Sequence, residues 1–186
     1  MRIVGGSLRG LTLAALGAGD PAAHLRPTAD RVREAIFNLL LNGGYGDPVT
    51  GARILDLFAG TGALGLEALS RGAGHVTFVD DGRKAQALIA KNIALARAAD
   101  RAALLKRDAT RLGANPGAPY GLVFLDPPYG RVLGEAALTA ALAGGWIAPA
   151  AIIVWEDSTA AALPPGLAEL DRRRYGDTVV TLAAAA

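Results

Sequence analysis

The sequence contains no cysteine, which excludes a disulfide framework and a thiolate metal site. Histidine is nearly absent as well: His24 and His75 stand apart without ligand-like neighbours, so we expect no metal. No apolar run reaches the roughly 18 residues that a membrane-spanning helix requires, and no signal peptide precedes the first motif. We therefore expect a soluble, cytoplasmic protein that contacts no membrane.

The chain also has little net charge, +2 at pH 7, but its positive charge is unevenly distributed. Residues 1–33 hold two aspartates and five arginines, which are Arg2, Arg9, Arg26, Arg31 and Arg33. A basic segment on a nearly neutral body is typical of a protein that contacts a polyanion, although an ordinary solvated surface explains it about equally well. With 186 residues, 52% of them hydrophobic, the chain is long enough for one α/β domain and a small appendage.

Composition divides the chain into an extension and a main domain. The segment 42–51 is rich in glycine and proline and predicts a linker. It separates an N-terminal extension, residues 1–42, from a main domain, residues 51–186. Within the extension, residues 2–13 alternate around glycines and predict a short β-hairpin or arm.

A helix is predicted in the second half of the extension, beginning at residues 27–28. Val32 and Ile36 repeat at helical spacing and define an apolar face. Arg31 and Arg33 fall off that face, so both are expected on the surface of the helix.

The main domain begins with a strand, a tight turn and a helix. Residues 53–58 are rich in strand formers, Gly60 and Gly62 follow, and residues 63–71 have helical spacing. This order is typical of a nucleotide-binding βα unit, because glycine lets the backbone take a positive φ and approach a ligand closely.

The alternation of strands and helices continues along the chain. The further predicted strands are 75–80, 102–106, 121–125 and 150–155, and the further helices are 83–98 and 134–143. Residues 167–175 and 177–182 flank Gly176 and predict an antiparallel hairpin. Five βα-type strands followed by a hairpin are the layout of the Rossmann-like S-adenosylmethionine (SAM) methyltransferase fold, with a mostly parallel seven-stranded sheet. A dinucleotide dehydrogenase would instead continue with further βα units.

Acidic residues end four successive predicted strands: Asp56, Asp80, Asp108 and Asp126. Open α/β sheets bind ligands along the edge where parallel strands end, so this pattern favours a nucleoside-type cofactor. Asp56 and the glycine turn would face the amino-acid half of SAM, Asp80 the ribose diol and Asp108 the adenine edge. Asp108 has a second explanation, because aspartate also begins turns. The candidate cofactor-binding residues are Asp56, Phe58, Gly60, Gly62, Asp80 and Asp108.

The tetrapeptide Asp126-Pro127-Pro128-Tyr129 follows the fourth strand and forms the candidate catalytic loop. Consecutive prolines fix φ near about −65° and remove two N–H donors, so the loop is rigid. The Asp126 carboxylate and the Pro127 carbonyl could hold both N–H groups of an exocyclic amine on a nucleobase and aim its lone pair at a sulfonium methyl. Tyr129 could stack on the base, which must leave any duplex to be reached. Direct in-line transfer of this kind needs positioning and electrostatics but no covalent enzyme intermediate.

This loop after a glycine-rich turn resembles the amino-directed nucleic-acid methyltransferases as a class. Four stretches narrow the resemblance to the RsmD family, the bacterial 16S ribosomal RNA guanine-N2 methyltransferases: residues 2–10, 25–38, 55–65 and 67–73. The resemblance extends from Arg2 to about Val180. Two departures stand out: Gly10 is followed by Leu11-Thr12-Leu13 where the family arm commonly continues with basic residues, and Asp80 replaces a more usual glutamate.

The resemblance implies methylation of the N2 amine of one guanine in small-subunit ribosomal RNA, with SAM as the methyl donor and an assembled particle as the substrate. It also implies that the N-terminal extension contacts RNA phosphates and shape. The candidate RNA-binding residues are Arg2, Arg9, Arg26, Arg31 and Arg33.

Three other functions fit parts of the sequence. A DNA adenine-N6 methyltransferase uses the same tetrapeptide chemistry but needs a substantial target-recognition region, for which the short extension leaves little room. A catalytically silent SAM- or RNA-binding assembly factor has no need of the intact tetrapeptide. A nicotinamide dehydrogenase has no use for either the tetrapeptide or the closing hairpin. The size of the chain and the lack of an exposed apolar stripe favour a monomer.

Overall fold

The computed structural model describes residues 1–16, 29–128 and 132–186. The helices of this part of the chain are α1 (Asp30–Asn42), α2 (Ala63–Ser70), α3 (Arg83–Leu95) and α4 (Leu133–Ala143). The strands are β1 (Arg53–Leu57), β2 (His75–Val79), β3 (Ala102–Leu105), β4 (Tyr120–Leu125), β5 (Ile147–Asp157), β6 (Leu167–Tyr175) and β7 (Thr178–Ala185). A single 3-10 turn, Ala109–Arg111, lies between β3 and β4. The predicted start of the first helix at 27–28 lies outside the described residues, which show helix from Asp30.

The seven strands form one sheet in the order β3-β2-β1-β4-β5-β7-β6. The first five strands in this order are parallel to one another, whereas β7 is antiparallel to both β5 and β6. The predicted fold is therefore confirmed: a mostly parallel, Rossmann-like sheet that ends in an antiparallel hairpin. Because β7 lies between β5 and β6, the hairpin continues the sheet instead of packing against it.

The sheet is covered on both faces by hydrophobic cores. Successive residues of a buried strand point to opposite faces, so Phe124 joins one core and Val123 the other. Helices α1 and α3 contribute Phe37 and Ile89 to the first core, and α4 contributes Leu138 to the second. The central strands therefore lie in the middle layer of an α/β/α arrangement, whereas the edge strand β6 is exposed along most of its length.

The N-terminal residues 1–16 lie on the first core. The predicted hairpin is present only as a single antiparallel bridge between Arg2 and Thr12, so it forms no strands. Ile3 is fully buried in the same core as Phe37. The pairing continues as far as a hydrogen bond from Gly10 to the carbonyl of Ile3, and the following amides, of Val4 and Gly5, bond instead to a side chain of α2.

That side chain is Glu67, a buried glutamate on α2 that accepts four hydrogen bonds. The amides of Val4 and Gly5 donate to its two oxygens at 2.9 and 2.8 Å. The guanidinium groups of Arg33 and Arg71 donate at 3.1 and 2.9 Å. One buried carboxylate thus joins the N-terminal segment and α1 to α2.

The burial of Arg33 corrects one prediction. The helical period places this arginine off the apolar face, where it could contact RNA, but the structure gives it 0% exposure. Its guanidinium bonds to Glu67 and Asp30 and to the carbonyl of Arg2. A buried charge is stable only while it is paired, so Arg33 cannot turn outward to a phosphate. We assign it to the folded core and not to RNA binding.

Candidate functional site

The candidate site lies at the edge where the parallel strands end. Leu57 on β1 is level with Val79 on β2 and with Leu125 on β4, so the three strands stop together. The amide of Asp126 continues the pairing by donating to the carbonyl of Leu57 at 3.4 Å. The loops that follow β1, β2 and β4 therefore leave the sheet side by side, as the sequence predicts.

The turn after β1 takes an unusual backbone path. Three of its residues have left-handed φ angles: Phe58 at 56°, Gly60 at 59° and Gly62 at 78°. Such angles are ordinary for glycine, but a bulky side chain adopts them only under strain, and strain of this kind clusters at functional sites. Gly65 serves another purpose, because a Cβ there would lie 2.4 Å from the ring of Phe78. Only glycine allows α2 to pack this closely on the sheet.

Asp56 lies beneath the glycine turn and not on its open side. It is 2% exposed, and its Oδ2 accepts a hydrogen bond from the amide of Gly65 at 3.0 Å. Burial raises the pKa of Asp56 to about 8, the Gly65 hydrogen bond opposes that shift, and the nearby Asp80 carboxylate adds to it. The role that this geometry supports is to anchor the first turn of α2 and so to position the loop above it.

The raised pKa of Asp56 leads to a prediction about stability. Its ordinary value is 3.8 and its value in the folded protein is about 8, so between these values the folded protein keeps a proton that the unfolded chain has lost. The free energy of unfolding should therefore fall as pH rises through this window, by up to about 1.4 kcal/mol per unit. The Asp56→Asn variant keeps an acceptor for Gly65 without the titration, so its free energy of unfolding should fall less steeply in urea denaturation between pH 5 and 8.

Asp108→Asn is the control for that experiment. Hydrogen bonds from Thr110 lower the pKa of Asp108, the opposite direction from that of Asp56, so its removal should leave the slope between pH 5 and 8 unchanged. If Asp56→Asn showed the same slope as the unmodified protein, Asp56 would be ionised in the folded state.

Asp80 holds the glycine turn from the neighbouring strand. Its Oδ2 accepts from the amide of Gly60 and its Oδ1 from the amide of Gly82, both at 2.9 Å. Partial burial raises the pKa of this carboxyl group, while the two hydrogen bonds oppose the shift. Each carboxylate oxygen can accept a second hydrogen bond, so the group can also receive the two O–H donors of a diol.

Asp108 serves a structural purpose that the sequence also indicates. Its Oδ1 accepts from the amide and the hydroxyl of Thr110, at 2.8 and 2.7 Å, and so caps the 3-10 turn. The residue lies past the end of β3, the strand next to β2 at the same sheet edge. The cap accounts for one oxygen of Asp108, and the other is the atom that could meet a ligand.

The candidate catalytic loop is described as far as Pro128. Asp126 is half-buried, Pro127 is buried and Pro128 is exposed, so the loop rises from the sheet edge over three residues. Tyr129 lies outside the described residues, as does Arg26 in the N-terminal extension. The described part of the loop starts directly beside the glycine turn, because β4 and β1 are neighbours in the sheet.

The remaining candidate arginines lie on the surface. Arg2, Arg9 and Arg31 are exposed, in contrast to Arg33. Arg2 is placed by its backbone amide, which donates to Asp30 at 3.3 Å. These three side chains are available to a polyanion, and they come from the bridge segment and from the first turn of α1.

Asn92 is a site-positioning residue that the sequence prediction missed. It is fully buried on α3, and its amide donates to the carbonyl of Thr61 in the glycine turn at 2.8 Å. It also exchanges two hydrogen bonds with the backbone of Ala14, at 2.7 and 3.0 Å. Its position could have revealed it, because Asn92 continues the apolar stripe of Ala85 and Ile89, where a polar side chain is unexpected.

No group of three or more acidic, histidine or cysteine side chains in residues 1–16, 29–128 and 132–186 could hold a metal ion. In the same ranges, no helix is both long and apolar enough to cross a bilayer.

Comparison with known proteins agrees with this geometry. The family model described as conserved hypothetical protein 95 matches residues 1–184. The chain is 38% identical over 164 residues to the ribosomal RNA small subunit methyltransferase D of Escherichia coli K12, an alignment that covers 88% of this chain and 78% of that protein.

Solved structures show the same fold. The structure of yhhF from Escherichia coli superposes with a TM-score of 0.83 at 35% identity, covering 100% of this chain and 97% of that one. The N-methyltransferase NodS from Bradyrhizobium japonicum, solved with S-adenosyl-L-homocysteine, has a TM-score of 0.64 at 13% identity, covering 91% and 93% of the two chains. The second likeness concerns the fold alone.

Proposed function

The chain belongs to the conserved hypothetical protein 95 family, the RsmD family of ribosomal RNA methyltransferases, and we propose that it methylates the exocyclic N2 amine of a guanine in small-subunit ribosomal RNA with SAM as the donor. Membership makes the chain an rRNA methyltransferase. The choice of amine, the role of each residue and the form of the RNA substrate are the proposal.

One observation carries the proposal: the Asp-Pro-Pro loop and the glycine turn leave adjacent strands at the same level. The hydrogen bond from the Asp126 amide to the Leu57 carbonyl joins the end of β4 to the last residue before the turn. Neighbouring strands lie about 4.8 Å apart, so the two loops flank a space the size of one small group. A methyl group passing from a bound cofactor to a bound base requires that proximity.

The fold family implies SAM, and the residues of the turn suit it. The Asp80 carboxylate has capacity for the ribose hydroxyls beyond its two backbone donors. The strained turn at Phe58, Gly60 and Gly62 would receive the amino-acid half, with Asp56 supporting it from below, and Asp108 would lie toward the adenine. When bound, SAM supplies an electrophilic methyl group on a sulfonium.

The chain's own residues would prepare the acceptor amine. The lone pair of an exocyclic guanine amine is delocalised into the ring, which makes the amine a poor nucleophile. The Asp126 carboxylate and the Pro127 carbonyl would accept hydrogen bonds from the two N–H groups of this amine. Those hydrogen bonds would favour a tetrahedral nitrogen, in which the lone pair is exposed. Pro127 and Pro128 keep both acceptors rigid, and Tyr129 would stack on the base. The proton lost by the amine would leave through Asp126 or solvent.

The N-terminal extension would bring the RNA to this edge. The proposed RNA-binding residues are the exposed Arg2, Arg9 and Arg31, together with Arg26. Arg33 does not belong to them, because it is buried. We keep as part of this proposal the division into an RNA-contacting extension, residues 1–42, and a catalytic domain, residues 51–186. The proposal also includes an assembled small-subunit particle as the substrate and a monomeric state for the enzyme.

Methyl transfer from labelled SAM tests the proposal directly. The protein is offered small ribosomal subunits that lack the modification, naked rRNA, tRNA and duplex DNA, and the products are digested to nucleosides. We expect N2-methylguanosine from the ribosomal substrate alone. Methyladenine in DNA, or no transfer to any substrate despite bound SAM, would overturn the proposal in favour of a DNA methyltransferase or a silent assembly factor, respectively.

The Asp80→Asn variant tests the cofactor assignment. The asparagine oxygen can replace only one carboxylate oxygen as acceptor, so both the Gly60 contact and the proposed ribose contact weaken. We expect the dissociation constant for SAM, measured by calorimetry, to rise by about tenfold or more, as for the loss of one charged hydrogen bond. Asp81→Asn on the adjacent surface position is the matched control and should bind SAM normally. Equal affinity in the two variants would remove Asp80 from the cofactor site.

A further inference from the structure

Three consecutive arginines lie on β6, the edge strand of the sheet, and all three are exposed. Arg172 forms an ion pair with Glu169, and Arg173 pairs with Asp171 at 2.9 Å. Arg174 has no carboxylate partner among the described residues. Arg174 is therefore the one arginine of the three without an ion pair, and Asp177 in the adjoining turn balances its formal charge.

Sheet register places that position at the catalytic edge. Arg174 pairs with Val179, and Val179 pairs with Asp157 on β5. Asp157 lies two residues beyond Trp155, which is level with Leu125, the last residue of β4. The side chain of Arg174 thus starts at the height of the Asp-Pro-Pro loop. Three strand spacings of about 4.8 Å separate it from that loop, a lateral distance of about 14 Å.

We propose that Arg174 binds a backbone phosphate of the RNA substrate a few nucleotides from the target base. The inference rests on the proposed function, because it assigns a second contact to the same substrate. It would place RNA on both sides of the catalytic loop, with the N-terminal extension on one side and the end of the closing hairpin on the other.

Two physical arguments support a phosphate as the partner. The guanidinium presents donors in a planar fork that matches phosphate oxygens, and it stays charged at every relevant pH. Arg174 loses no ion pair when it meets an anion, whereas Arg172 and Arg173 would have to give up theirs. Charged side chains on edge strands also prevent sheets from pairing edge to edge, but that purpose needs no particular position along the strand.

The test compares Arg174→Ala with Arg172→Ala, a matched control on the same face of the same strand. The loss of one exposed ion pair should raise the KM for unmodified small ribosomal subunits by about fivefold in Arg174→Ala, with kcat unchanged. The dependence of log affinity on log salt should also become shallower by about 0.7 to 1. Arg172→Ala should change KM less than twofold, and Arg174→Lys should recover only part of the affinity, because it keeps the charge without the planar fork.

The outcomes separate this inference from the function on which it rests. If the unmodified protein transfers no methyl group to ribosomal RNA, the proposed function fails, and the RNA contact fails with it. If the unmodified protein is active and Arg174→Ala has the same KM and the same salt dependence, only the contact is wrong. Aggregation of Arg174→Ala, with normal KM for the remaining soluble protein, would assign the arginine to protection of the sheet edge and would likewise overturn the contact.

Discussion

Replacing Asp126 with alanine is expected to lower kcat for methyl transfer by at least about 100-fold, the usual effect of removing one group that stabilises a transition state. Without the carboxylate, one N–H bond of the target amine has no acceptor, so its lone pair stays in the ring. The affinity for SAM should change little, because the side chain is assigned to the base and the glycine turn is held by other residues. Single-turnover kinetics and calorimetry measure the two effects separately.

Asp157→Ala is the control for that variant. Asp157 also ends a strand at the catalytic edge, but its carboxylate bonds to the amide and hydroxyl of the next residue, Ser158. Its removal should leave kcat within about twofold, since surface substitutions outside the site have small effects. If Asp126→Ala lost SAM binding together with turnover, the carboxylate would belong to the cofactor site. If it kept full turnover, the proposed chemistry of the amine would be wrong.

Replacing Glu67 with alanine is expected to lower the free energy of unfolding by about 3 to 5 kcal/mol, the usual cost of breaking a buried ion pair. Arg33 would lose its buried carboxylate partner and keep its ion pair with the half-exposed Asp30. The amides of Val4 and Gly5 would lose their acceptor as well, so the N-terminal segment should detach from α2. Urea denaturation measures the loss of stability.

Two further variants interpret the effect of Glu67→Ala. Glu34→Ala removes an exposed glutamate from α1 and should change the free energy of unfolding by less than about 0.5 kcal/mol. The double variant Glu67→Leu with Arg33→Met removes both buried charges, and it should recover part of the lost stability. A double variant no more stable than Glu67→Ala would show that the backbone amides, and not the arginine, account for the loss.

The sequence predicts those parts of the fold that depend on local pattern. The strand of 121–125 is a continuous apolar run, and β4 occupies Tyr120–Leu125. Among the strands of the sheet, the prediction is least accurate for the fifth, where 150–155 is expected and β5 extends over Ile147–Asp157. Pro149 and a left-handed Ala150 interrupt the apolar pattern there, and the register with β4 shifts at the same place. A local kink hides the first three residues of the strand, 147–149, from a periodicity argument.

The residues that the sequence could not assign depend on partners far along the chain. The sequence predicts a surface position for Arg33 because its own helix offers no acceptor in the core. Its partner Glu67 is 34 residues away along the chain. The location of the acidic strand ends, in contrast, can be predicted, because parallel strands end at the same edge of the sheet. Their individual roles do not follow, since only the folded molecule shows that Asp56 bonds to the first turn of α2 and Asp80 to the glycine turn.

The position of β7 between β5 and β6 has a consequence for synthesis on the ribosome. A ribosome adds about 5 to 20 residues per second, so both neighbours emerge before the strand that joins them. Until β7 arrives, the outer edge of β5 lacks a pairing partner and β6 is not attached to the sheet. An unpaired edge is a template for aggregation, so the newly made domain stays vulnerable until β7 has left the ribosome and joined β5 to β6.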